Sequence, residues 1–235
     1  MATIYLFRHG QASFGAADYD KLSPLGERQA TLLGHYLRDC DITLDAAYSG
    51  DLLRQRETAQ LALASQPGEV PHHIDARFNE VKNDEHLEYL LPELVKSNPR
   101  LRQLVEGGLR SSKDYQKVID AVFNHWVSPH CEDSRIQSWA DYSGSVAAAL
   151  ETVMAEQGSG KTVGIFTSGG TIATLVAQVL GLAGHQTYQL YEPIVNCSVS
   201  QVFYSGNRSS LSYFNVRSWL QLLGLKHAES VVTYR

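Results

Sequence analysis

Short runs rich in β-branched and aromatic residues alternate with helix-spaced apolar stripes along this chain, and that alternation constrains its fold more than any other feature. Thr3-Ile4-Tyr5-Leu6-Phe7 reads as a buried strand. Ser23-Pro24 then opens a helix, with Ser23 as N-cap and Pro24 in the first turn, and Leu25, Leu32, Leu33, Tyr36 and Leu37 form its stripe. A strand at 45–49, a helix at 51–64 closed by Gln66-Pro67-Gly68, and a strand at 70–75 follow. After residue 140 the pattern resumes with a helix at 139–157, a strand at 162–167, an apolar helix at 171–180 and closing strands at 195–204 and 211–216. Strands alternating with helices imply a three-layer α/β/α fold around a mostly parallel sheet.

Between about 81 and 140 only helical spacing is visible. Leu87, Leu90, Leu91, Leu94 and Val95 form one set, and Val118, Ile119, Val122, Phe123 and Trp126 another. The expected organisation is therefore a single domain built from about 1–80 and 141–235, with a helical insertion at about 81–140. A hydrophobic content of 43% against 19% charged residues excludes intrinsic disorder. The net charge of −5 argues against nucleic acid or an anionic membrane as partner, so an anionic ligand must be caught by a local arginine cluster. Cys40, Cys131 and Cys197 lie far apart in sequence and read as reduced thiols, and no apolar run is long enough to span a bilayer. The expectation is a cytoplasmic protein.

Three segments carry chemistry, each at the end of an expected strand, where open α/β sheets bind ligands. Arg8-His9-Gly10 follows the first strand. An arginine fork suits phosphate oxygens, a neutral imidazole can attack phosphorus, and glycine lets the backbone turn close to a ligand. Arg54 falls in the first turn of its helix, where a cation opposes the macrodipole unless an anion sits beside it. Arg56 lies about 200° further round that helix and reads as a surface residue. Thr167-Ser168-Gly169-Gly170-Thr171 joins a strand to a helix N-terminus, whose free N–H groups suit an anion. Two decoys fall away. Gly158-Ser159-Gly160-Lys161-Thr162 lacks the first P-loop glycine and precedes a strand, and His72 and His73 point to opposite strand faces. Ser168 also stands on a turn like the nucleophile elbow of an α/β-hydrolase, but Phe166 replaces that motif's first glycine.

Taken together, the segments resemble the histidine phosphatase superfamily, the phosphoglycerate-mutase-like enzymes that pass through a phosphohistidine. The match comprises Arg8-His9-Gly10-Gln11, the stretch 22–30, the Arg54 helix with Thr58-Ala59, the segment 77–80, the Gly169-Gly170-Thr171-Ile172 turn and Asn196-Cys197-Ser198-Val199. The resemblance implies His9 as nucleophile, Arg8 and Arg54 as phosphate clamps, Glu80 as general acid and base, and Gln11, Ser168 and Gly169 as further phosphate contacts. It implies no cofactor and no metal, and a phosphorylated small molecule or phosphorylated protein as partner. The chain departs from the family pattern twice. Ser168 stands where a second histidine is usual, and Gly15 where many members have asparagine. Slow hydrolysis of a phosphomonoester is one reading of that departure, and a pseudophosphatase that binds without turnover is the other.

Overall fold

The computed structural model describes residues 1–13, 20–227 and 230–234. Strand β1 (Ala2–Arg8) lies inside a six-stranded sheet with β2 (Ala46–Ser49), β3 (His72–Ile74), β4 (Thr162–Thr167), β5 (Val199–Ser205) and β6 (Arg208–Val216), in the order β3-β2-β4-β1-β5-β6. The first four strands run parallel, while β5 pairs antiparallel with β1 and β6 antiparallel with β5. The sheet is thus mostly parallel, with an antiparallel edge.

Successive residues of β1 serve opposite layers. Tyr5 and Phe7 pack with α1 (Pro24–Asp39), α2 (Leu53–Leu63) and α9 (Ser218–His227), through Leu33, Leu37, Ala59, Ala62, Trp219 and Leu220. Ile4 and Leu6 join the opposite cluster, which holds α6 (Trp139–Gln157) and α7 (Gly169–Val179). That second layer also takes in the helices of the 81–140 stretch: α3 (Asn83–Ser97), α4 (Pro99–Glu106) and α5 (Ser112–Trp126). Leu90, Leu101, Val118, Phe123 and Trp126 are buried in the same cluster as Ile4 and Val163.

Ser23 caps α1 as its sequence implies, its hydroxyl accepting from Gly26 N at 3.0 Å. Helix α7 begins two residues earlier than expected, because Gly169 and Gly170 already adopt helical backbone. The strand expected at 195–204 begins only at Val199. Residues 195–198 turn instead, with Cys197 in the left-handed region at φ +54°, since their polar groups serve the backbone of Arg8 and His9 rather than a ladder. Short α8 (Thr187–Tyr191) and the whole of α9 lie outside the sequence-level reading.

Candidate active site

All four parallel strands end on one edge of the sheet, and the site is built there. Arg8 is the last residue of β1, and the next residue, His9, donates its backbone N–H to Thr167 O at the end of β4, at 2.8 Å. His9 is nearly buried, at 5% exposure. Its Nδ1 lies 2.7 Å from Gly10 O, a group that can only accept, so Nδ1 carries the proton. The lone pair of Nε2 is left to accept from Arg54 Nε at 3.3 Å. Burial first, then the guanidiniums of Arg54 and Arg8, push the imidazole well below its ordinary pKa. His9 is therefore a neutral ring of fixed tautomer.

Gly10 is required by a close approach. A Cβ there would fall 2.4 Å from Gly26 O, and one on Gly26 would fall 2.1 Å from Gln11 O, so α1 rests directly on the turn that carries His9. Thr58, four residues after Arg54, accepts from Gly10 N at 3.0 Å and donates to Arg54 O at 2.7 Å. Arg54 is buried in the first turn of α2. The anion that this cationic first turn calls for is supplied here by Asp20, whose Oδ1 lies 2.6 Å from Arg54 Nη1 while its Oδ2 accepts from Leu53 N at 2.7 Å. Arg8 donates through Nη1 to Ile194 O. Arg56 is exposed.

Glu80 follows a 3-10 turn at Ala76–Phe78, which is tied to the sheet and to α2. Thr167 Oγ1 and Gln55 Nε2 donate to Phe78 O, and Thr171 Oγ1 donates to Asn79 O. One carboxylate oxygen, Glu80 Oε1, accepts from Val81 N and from Gly170 N at the start of α7, both at 2.9 Å. Burial raises the Glu80 pKa above the ordinary carboxylic range, against the opposing pull of the arginines and these two N–H donors.

Arg8, His9, Arg54 and Glu80 face one cavity of about 160 Å³. Asn83 of α3, Tyr115, Gln116 and Ile119 of α5, Tyr188 and Tyr191 of α8, and Tyr234 supply much of the rest of its wall. Gln11, Ser168 and Gly169 do not line it. Gln11 sits behind the turn, its N–H donating to Gln29 Oε1 and its side chain accepting from Ser23 Oγ. Ser168 is fully buried and accepts from Gln55 Nε2 at 2.8 Å, and its hydroxyl leaves the α7 N-terminus uncapped. Gly169 packs on Tyr191, where a Cβ would come within 3.0 Å of the ring. Gly15 lies outside the described residues. The sequence gives no site role to Asp20, Gln29, Gln55 or Asn196, although Gln29 and Asn196 fall in segments that carry the resemblance. Of these, only Asp20 had a visible signal, the unmatched cation in the first turn of α2.

A family model described as histidine phosphatase superfamily (branch 1) matches residues 4–107 and 95–217. The chain belongs to the histidine phosphatase superfamily. The chain is 39% identical over 66 residues to the broad-specificity phosphatase YOR283W of Saccharomyces cerevisiae, a match spanning 26% of this chain and 29% of that relative. Among solved structures it is similar to Bacillus stearothermophilus YhfR, at 20% identity with TM-score 0.67 over 93% of this chain and 99% of that one. It is also similar to a phosphoserine phosphatase from Entamoeba histolytica in complex with phosphoserine, at 19% identity with TM-score 0.65 over 94% and 100% of the two chains. A phosphoglycerate mutase from Bacillus anthracis gives 23% identity and TM-score 0.64 over 93% and 94%. At these identities the structural likenesses establish the fold, a phosphoglycerate-mutase-like α/β sheet flanked by helices. No helix among the described residues is long and apolar enough to cross a membrane.

Proposed function

We propose that this histidine phosphatase superfamily member hydrolyses a phosphomonoester through a phosphohistidine on His9. The observation that carries this reading is the pairing, in one cavity, of a neutral imidazole whose Nε2 lone pair lies beside Arg54 with a carboxyl group whose pKa burial raises. Nε2 attacks phosphorus as the bond to the alcohol oxygen breaks, and Glu80 gives its proton to that oxygen. Arg8 and Arg54 bind the phosphoryl oxygens and hold the charge that builds in the transition state. In the second half-reaction Glu80, now ionised, takes a proton from water as the water oxygen attacks phosphorus. Inorganic phosphate leaves and the imidazole is restored. Bound phosphate displaces Asp20 from Arg54 Nη1.

In this reading the chain works as one domain, with the 81–140 helices as an insertion that walls the cavity. The phosphoryl group is read as that of a small molecule, the class to which the phosphoserine bound by the Entamoeba histolytica neighbour belongs. Ser168, held by Gln55 behind the cavity wall, brings no cationic donor to phosphate. Without a cationic second histidine the rate falls by about 10- to 150-fold. The same side chain favours the second reading, a phosphate-binding protein without turnover.

The purified chain and its His9→Ala variant, assayed against a panel of phosphomonoesters, separate the two. Turnover by the parent alone, with an acid-labile phosphoryl label on His9 after rapid quench, is the expected result. Equal turnover in both proteins overturns the His9 mechanism. Phosphate binding with no turnover in either selects the binding-only reading.

A further inference from the structure

The family match stops at residue 217, yet the chain beyond it returns to the site. After α9 crosses the layer of α1 and α2, residues 231–234 run between α1 and the 195–198 turn. Gln29 of α1, fully buried, donates through Nε2 to Val231 O and to Thr233 Oγ1, both at 2.8 Å. The Thr233 hydroxyl passes its own proton to Asn196 Oδ1 at 2.9 Å, and Asn196 N donates to Thr233 O at 2.9 Å. With Oδ1 committed as acceptor, Asn196 Nδ2 donates to His9 O at 3.0 Å. The free end of Gln29, Oε1, accepts from Gln11 N at 2.8 Å. The Thr233 hydroxyl therefore links the two amides, Gln29 being held as well by Val231 O and Gln11 N, and through them it reaches the backbone on either side of Gly10, whose carbonyl sets the His9 tautomer. The next residue, Tyr234, lines the cavity, its hydroxyl accepting from Arg217 Nη1 at 2.9 Å.

We propose that this terminal segment is a working part of the site, with Thr233 a positioning residue for His9 and Tyr234 a specificity residue that selects phosphate esters of flat, aromatic alcohols. The assignment rests on the reading of His9 as nucleophile. Tyr115, Tyr188, Tyr191 and Ile119 complete an aromatic and apolar wall with Tyr234. Among the described lining residues the cations are Arg8 and Arg54 alone, both beside His9, so the far wall carries no arginine or lysine for a second anionic group on the alcohol.

Thr233→Val keeps the shape and removes the hydroxyl, leaving a Gln29 proton and Asn196 Oδ1 without partners. The variant is expected to lose about tenfold in kcat with KM within about twofold, and Thr233→Ser to restore kcat. Asn196→Asp, which still accepts from Thr233 but cannot donate to His9 O, serves as the second variant where Thr233→Val fails to fold, and its expected kcat loss is the same. Tyr234→Ala is expected to raise KM about three- to tenfold for an aryl phosphate and to leave it unchanged for glycerol 2-phosphate. Unchanged kcat in Thr233→Val or Asn196→Asp, or a kcat loss that Thr233→Ser does not rescue, overturns the positioning role. An equal KM change on both esters overturns the specificity role. His9→Ala in the same assays keeps the two readings apart: undiminished turnover there sinks the nucleophile itself, whereas a dead His9→Ala beside an unaffected Thr233→Val sinks only the terminal segment's part.

Discussion

Burial acts on His9 and Glu80 in the same physical sense, against the charged form, but with opposite consequences for proton traffic. The imidazole is held unprotonated well below its ordinary pKa, and the carboxyl is held protonated above its own. Between those limits the cavity contains a nucleophile ready to attack and an acid ready to give its proton. Phosphorylation of His9 is therefore expected to fall as pH rises through the raised Glu80 pKa, and to persist on the acid side far below pH 6.5. Glu80→Gln should erase the alkaline limb and slow the first turnover of an alkyl phosphate by about 10²- to 10⁴-fold. An aryl phosphate with a nitrophenol leaving group needs no proton at that step, and its first turnover should fall much less. Rapid-quench measurement of both esters decides the point, and equal losses would remove Glu80 from the acid role.

At the scale of elements, the site depends on how closely α1 lies on the 9–11 turn. Gly26→Ala places a methyl group 2.1 Å from Gln11 O and so forces the helix off the turn. Overpacking of that kind costs about 1–3 kcal/mol, read as a fall of several degrees in thermal midpoint together with reduced kcat. A second test concerns the junction of α3 and α5, where the buried ring of His86 lies on Trp126 with centroids 4.2 Å apart. Burial lowers the His86 pKa to about 4 from 6.5, so the unfolded chain takes up a proton there before the folded one does. Its contribution is intact above pH 6.5 and is lost as pH falls toward 4, by up to about 3 kcal/mol. His86→Phe should flatten the decline in thermal midpoint between pH 7 and 5, and an unaltered slope would count against it. The helical character of this junction was legible in the spacing of Leu87 to Val95 and of Val118 to Trp126, as was the start of α1 in Ser23-Pro24. Those signals are local, set by caps and period. The 195–198 turn was not legible, because Val195-Asn196-Cys197-Ser198 keeps the apolar–polar alternation of the strand that follows, while its backbone and amide answer to residues 8 and 9, 187 positions away for Asn196 and His9. Asp20, partnered with Arg54 across 34 positions, escaped for the same reason.

Across the whole molecule, the helices of 83–126 bury Leu90, Val118, Phe123 and Trp126 in the cluster that also covers β1 and β4, so they have no separate core to hold them folded once the sheet opens. Unfolding should therefore be a single transition, with tryptophan fluorescence and far-UV circular dichroism giving the same midpoint. Trp126 and Trp139 report on that cluster and Trp219 on the opposite layer, so fluorescence samples both faces of the sheet. Separate midpoints would mean that the insertion melts alone. The site draws on both layers too: α2 brings Arg54, the turn before α3 brings Glu80, and β1 leads into His9. An anion that engages all three must stabilise the entire fold. Orthovanadate at about 100 times its dissociation constant adds roughly 2.7 kcal/mol, or about 5–10 °C for a chain of this length. Arg54→Ala removes one clamp and the hydrogen bond to His9 Nε2, and should abolish most of that shift while leaving the transition single. A full vanadate shift in Arg54→Ala would place the anion elsewhere on the molecule.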